Sequence, residues 1–202
     1  MRSITFLTIG EFQGVRDKLT LMKILVLSPL YPPDIAQPAP YVKEFLRRLS
    51  DTHALVALTY GRLPEKVGGV RIVAVDKNKP LLVRIVRYTT ALWREGARAD
   101  IIYAHNGPSV ELPLAFVNFF LRRPLVLHLA DVAAHEYAAK HFLRRTLERF
   151  VIARAYRIVN DMPTVKPEIL PLQPAPREAL AAYETSWQNH LRDLETVFTH
   201  GK

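Results

Sequence analysis

Cysteine is absent from these 202 residues, which excludes a disulfide framework, a thiolate metal site and a cysteine nucleophile. Glycine is scarce, at eight residues, and none forms a Gly-x-Gly-x-x-Gly fingerprint, a Walker loop or a Gly-x-Ser-x-Gly elbow. No apolar run reaches the roughly 18 residues of a membrane span, because Lys, Arg, Asp or Glu interrupts each candidate. His135-Glu136 begins like a zinc protease helix, but Ala139 stands where the second histidine belongs, and His135 and His141 are six residues apart. No metal and no cofactor is therefore expected.

Acid is also outnumbered: 28 Lys and Arg against 19 Asp and Glu leave a formal charge of +9. That balance favours acidic partners, whether phospholipid surfaces, nucleotide diphosphates or nucleic acid. The cations are spread over several helical stretches without a nucleic-acid motif, so nucleic acid is not the expected partner. A cytoplasmic chain, peripheral at a membrane, fits both the missing cysteine and the missing span.

What is present is an alternation. Lys23 to Leu27 is a near-continuous aliphatic run leading into Ser28-Pro29-Leu30-Tyr31-Pro32-Pro33, as a strand buried on both faces of a parallel sheet reads. Tyr41, Val42, Phe45, Leu46 and Leu49 then recur at helical steps. His53 to Thr59 and Val70 to Val75 are short β-branched runs whose Gly- and Pro-containing spacer suits two strands joined by a turn. Pro80 to Arg98 predicts a basic amphipathic helix with Leu82, Ile85, Val86, Thr89, Ala91 and Leu92 on its apolar side. Asp100 to Ala104 is a fourth strand, Pro108 to Leu121 an apolar helix, and Leu125 to Leu129 a fifth strand. Ala133 to Ala155 predicts a long basic helix, with Phe142, Leu143, Leu147, Phe150, Val151 and Ala155 on one side, and Tyr156 to Val159 a sixth strand.

The expected fold is α/β: a single Rossmann-like domain with a mostly parallel sheet of about six strands, helices on both faces, and a C-terminal helix packed back on it. Residues 1–21 form an N-terminal extension, read either as preceding the natural start at Met22 or as an added edge strand at Ile4 to Ile9. Residues 22–160 form the domain, and residues 161–176 a linker, because Pro163, Pro167, Pro171, Pro174 and Pro176 disfavour helix and central strand. Residues 177–202 hold the last helix, with Leu180, Tyr183, Trp187, Leu191, Leu194 and Phe198 on its apolar face.

The opening strand and proline loop, together with Ala99 to Gly107 (ADIIYAHNG) and Arg123 to Asp131 (RPLVLHLAD), resemble the N-terminal, acceptor-side domain of family-4 GT-B glycosyltransferases. Tyr183 to Val197 (YETSWQNHLRDLETV) is similar to that family's closing helix, which crosses back from the second domain. The resemblance implies a retaining nucleotide-sugar transferase whose acceptor sits on this domain and whose donor is held by a second. It also implies a glutamate pair and a diphosphate grip on that second domain, and neither can be placed in this sequence.

Carried onto this chain, the resemblance puts Ser28, Tyr31, His105, Asn106, His128 and Asp131 on the substrate-binding rim, with no catalytic residue assigned. The family's usual glycine pair is replaced here by Asp34 to Pro40, whose prolines offer no N–H to a phosphate. Ala130 stands where the family places a histidine beside the transferred sugar. His128 points to the same face as Ala130 by strand alternation, and reads either as that role displaced or as a buried, hydrogen-bonded histidine. Asp131 suits a sugar hydroxyl or a helix N-cap equally. His105 and Asn106 could fix an acceptor's hydroxyls, although Asn106-Gly107 also reads as a turn.

Two functions follow. One is the acceptor-binding half of a split or incomplete glycosyltransferase, inactive alone, needing a separate donor-domain chain and a lipid-linked or glycan acceptor. The alternative is a catalytically silent binding or scaffold module at an anionic membrane surface.

Overall fold

The computed structural model describes residues 22–129, 141–164, 166 and 175–201; expectations for the N-terminal extension, for Ala130 and Asp131, and for the start of the helix predicted from Ala133 lie outside them. The first strand, β1 (Lys23–Ser28), is buried along all but its first residue. An uninterrupted aliphatic run can meet that demand because both sheet faces are covered. It pairs in parallel with β2 (Ala54–Tyr60) on one side and β4 (Ile101–His105) on the other. Outward from these lie β3 (Val70–Val75), then β5 (Leu125–His128) and β6 (Arg157–Val159), giving one six-stranded parallel sheet in the order β3-β2-β1-β4-β5-β6.

Strand alternation sorts the core into two layers. Ile24, Val26, Ile101, Tyr103 and Val126 face α1 (Ala39–Leu49) and the final helix α5 (Arg177–His200). Leu25, Leu27, Ile102, Leu125 and Leu127 face α2 (Leu81–Gly96), α3 (Pro108–Leu121) and α4 (Phe142–Arg154). The C-terminal helix thus covers the sheet, burying Tyr183, Trp187, Leu194 and Phe198. None of the described helices is long and apolar enough to cross a membrane.

Three expectations need correction. The spacer between β2 and β3 does not reverse the chain, since Leu55 lies opposite Val70 in a parallel pair. Residues 61–69 instead cross the α1 face, where Val67 packs on the core and the Glu65 N–H donates to the Pro32 carbonyl. On α2 the inward stripe is Tyr88, Leu92, Glu95 and Gly96, while Leu82 and Val86 are exposed. A buried Glu95 is tolerated because Arg71 and Arg94 both pair with it. On α4, Val151 is buried as expected, but Phe142 is 81% exposed and Phe150 lies at the surface. Periodicity says which side chains share a face; it does not say how far the sheet extends beneath them.

Candidate functional site

The chain leaves β1 toward β2 and β3, then returns to β4 on β1's other side. The loops after β1 and β4 therefore part company at the strands' carboxyl ends, the place where open α/β sheets hold ligands. The two loops touch at their bases. A Cβ on Gly107 would lie 3.2 Å from Pro29 Cγ, and Gly107 has φ +148°, so both the contact and the backbone call for glycine.

Between these loops and the first turns of α2 and α3 opens a cavity of about 450 Å³. Pro29, Tyr60, Lys77, Arg84, Ser109 and Arg144 border it, over an apolar lining that includes Leu81, Ile85, Leu112 and Leu147. Tyr60 is fixed by donating its hydroxyl proton to the Ser109 carbonyl (3.0 Å) and by stacking on Tyr88 (4.5 Å between ring centres). Burial pushes the Tyr60 phenol up to about 12, with the Arg84 guanidinium pulling the other way. Lys77 Nζ is 2.5 Å from Asp34 Oδ2. The Nε of Arg84 is buried with no protein hydrogen-bond partner. The pocket is thus an apolar hollow with cations at its border, suited to a ligand with an anionic head and an apolar body. A larger groove, about 590 Å³, lies between β6 and α5, but among the described residues β6 is the one strand that borders it.

The residues predicted from sequence sit elsewhere. Ser28, Tyr31, His105, Asn106 and His128 are all buried, and none of these five lines the pocket; Asp131 is outside the described residues. Ser28 donates to the Leu30 carbonyl within its own loop. The Tyr31 hydroxyl has no hydrogen-bond partner, and burial followed by the nearby Glu65 charge raises its phenol to about 12. The Asn106 N–H donates to the His128 carbonyl.

His105 and His128 are brought together, because the β4–β5 register sets them opposite each other with ring centres 4.9 Å apart. They join a chain of rings that sequence reasoning did not assemble. His128 Nδ1 lies 2.7 Å from Tyr103 Oη, Tyr103 Oη 2.8 Å from Tyr41 Oη, and Tyr41 Oη 2.7 Å from His190 Nε2. Burial, then the neighbouring histidines, holds His105 well below its ordinary pKa; the same two causes lower His128 to about 3. His190 is lowered by burial too, with Asp161 and Asp193 opposing. The cluster is buried, with His190 at its edge on the groove beside β6, and ties α1, β4, β5 and α5 together. Among the described residues no group of three or more His, Asp or Glu is placed to hold a metal.

Three of the missed residues carried a signal. His190 is three residues after Trp187 and four before Leu194, on the stripe that α5 buries. Tyr60 and Lys77 stand at and just beyond the carboxyl ends of β2 and β3, the position that marked Ser28, His105 and His128 on β1, β4 and β5.

No protein-family model matches the chain, and no curated protein sequence is similar to it. Solved structures are. Anabaena Alr3699/HepE in complex with UDP and glucose superposes with a TM-score of 0.50 at 16% identity, over 82% of this chain and 41% of that one. The same protein in complex with UDP-glucose gives 0.50 at 18% identity, over 82% and 40%. The chain therefore spans about two fifths of the length of the structure it resembles. What is shared is the fold, a Rossmann-like α/β domain of the GT-B kind.

Proposed function

We propose that this domain is the acceptor-binding half of a nucleotide-sugar-dependent glycosyltransferase of the family-4 type, completed by a donor-binding domain on a separate chain. The observation that carries this reading is the pocket between the loops after β1 and β4, bordered by Lys77, Arg84 and Arg144 at the sheet's carboxyl edge. In this reading Arg84 and Lys77 hold an acidic group of a glycan or lipid-linked acceptor while the apolar lining takes its body. Asp131 would meet a sugar hydroxyl. Ser28, Tyr31, His105, Asn106 and His128 set the loops in place from beneath without touching substrate. The domain alone binds acceptor and transfers nothing.

The test is cross-linking of the intact chain in its source cell, followed by reconstitution. Recovery of a chain carrying a nucleotide-sugar site, cross-linked near Lys77, and product formed when both chains are present would support the split enzyme. Arg84→Ala should then raise the acceptor KM with little change in donor KM. Steady transfer by the isolated chain would overturn it. A second reading, a catalytically silent module, draws on the burial of His105 and His128 and on Ala130; unchanged acceptor binding in Arg84→Ala would favour it.

A further inference from the structure

The outer face of α2, α3 and α4 is apolar, aromatic and charged with one sign only. Phe116 and Phe120 on α3 are 58% and 56% exposed. Phe120 is the hub, with ring centres 5.9 Å from Trp93, 5.4 Å from Phe116 and 5.1 Å from Phe119. Leu82 and Val86 extend the exposed apolar surface along α2. Solvent-facing aromatics in contact with one another form a patch, and patches of this kind mark interaction surfaces.

The charges decide what the patch meets. The three helices contain three acidic residues, Glu95, Glu111 and Glu148, and these are 3%, 4% and 4% exposed. Every exposed charged side chain on the three helices is therefore an arginine: Arg87, Arg94, Arg145, Arg149 and Arg154. The Arg154 guanidinium lies over the faces of Phe119 (4.8 Å) and Phe150 (4.6 Å), a cation held against the aromatic surface. A second copy docking by this face would set arginine against arginine. Protein interfaces usually ring an apolar centre with polar groups of both signs; here the ring is cationic and the centre is phenylalanine and tryptophan. That combination matches an anionic lipid surface, where aromatic rings sit among the headgroups and arginines meet the phosphates.

We propose that the α2–α3–α4 face docks the protein on an anionic phospholipid bilayer, with Trp93, Phe116, Phe119 and Phe120 entering the headgroup layer and the arginines around them engaging lipid phosphates. The inference stands apart from the glycosyltransferase reading, since it needs no acceptor and no partner chain. The switch-point pocket shares Leu81 and Leu112 with this exposed apolar surface, so a docked molecule would hold the pocket's mouth beside the membrane.

The test uses the intact chain with phosphatidylcholine vesicles, with and without phosphatidylserine, at low and high salt. Co-sedimentation with the phosphatidylserine vesicles, lost at high salt and absent from pure phosphatidylcholine, is expected. The double variant Phe116→Ser/Phe120→Ser should weaken partitioning by on the order of tenfold or more, and Arg87→Glu/Arg154→Glu comparably, while both keep the parent melting temperature within a few degrees. Tryptophan emission should shift to the blue on binding, and the shift should vanish in Trp93→Phe while sedimentation persists. Its persistence there would make the buried Trp187 the reporter and overturn the assigned face. So would failure to bind phosphatidylserine vesicles, binding unchanged in both double variants, a dimer dispersed by the phenylalanine variant, or saturable binding of an acidic protein in preference to vesicles.

Discussion

Tyr41 Oη lies 2.7 Å from His190 Nε2, joining the first helix of the domain to the last across 149 residues of sequence. Both groups are buried, and the same hydroxyl also meets Tyr103 at 2.8 Å. Tyr41→Phe keeps the ring and its stack on Trp187 but leaves His190 and Tyr103 each short of a partner. A buried polar group stripped of its partner costs about 1–3 kcal/mol. The urea midpoint should fall by that equivalent with an unchanged m value. A change within about 0.5 kcal/mol, the range of an ordinary surface substitution, would mean that the bond contributes nothing to docking α5.

The ring chain also predicts an acid-labile fold. His128, His105 and His190 in the chain, and His53 outside it, are all held below the ordinary histidine value, with burial the largest cause in each. A histidine kept neutral when folded binds fewer protons than it does unfolded. The stability it contributes is complete above the unfolded value of roughly 6.5 and drains as pH falls toward the folded value, which for His128 is about 3. Each such group costs about 1.4 kcal/mol per pH unit within its window. Glu44 is lowered to about 2, chiefly by its hydrogen bond from Arg47, and its contribution is lost lower, as pH falls from the ordinary carboxylate range toward 2. Urea unfolding at pH 7 and pH 5 therefore isolates the histidines. The midpoint should drop, and His190→Gln should flatten the slope. Equal stability at the two pH values would show that these rings are solvated.

Arg48 clamps the same helix from the surface. Its guanidinium makes two 2.8 Å bonds to the Glu184 carboxylate and lies 5.1 Å above the Trp187 ring. Lysine can satisfy neither the fork nor the stack as well. Glu184 is half exposed, so the charge pairing is screened, and Arg48→Lys should cost about 1 kcal/mol. Raising salt should shrink the difference only in part, because the cation lies against an indole. A difference abolished by salt would assign the whole effect to the ion pair.

How much of this was legible depended on how local each feature is. β3 could be read to the residue, since Val70 to Val75 is a β-branched and aliphatic run, interrupted by Arg71 alone, between Gly69 and Asp76. The parallel pairing of β2 and β3 could not, because it depends on a spacer crossing the α1 face and on Val67 finding the core there. His105 and His128 were legible as candidates from their strand ends, but their facing each other is set by strand register. Their contact with Tyr41 and His190 is set by how α1 and α5 lie on the sheet. The pocket cations were the least legible. Arg84 belongs to a helix whose apolar pattern pointed to Leu82 and Val86, and it becomes a pocket residue because α2 begins over the switch point.

Gly107 is where fold and candidate site meet, and it gives the sharpest contrast within one residue type. Its φ of +148° is a conformation that side chains with a Cβ rarely adopt, and an added Cβ would meet Pro29 Cγ at 3.2 Å and Cβ at 3.3 Å. Pro29 cannot swing aside as a flexible side chain would, because its ring is part of the backbone. Gly107→Ala should therefore cost about 1–3 kcal/mol of strain and part the two loops that border the pocket. Gly61 is the control, with no atom within 4 Å of where a Cβ would stand and no positive φ. Gly61→Ala should be neutral or stabilise by up to about 1 kcal/mol by restricting the unfolded chain. Thermal melts of the two variants settle the stability half of the argument. Labelling at Lys77, on the pocket's border, settles the other half: its reactivity should change in Gly107→Ala and stay at the parent rate in Gly61→Ala. Equal melting temperatures for the two variants would show that the β1 and β4 loops are not locked together.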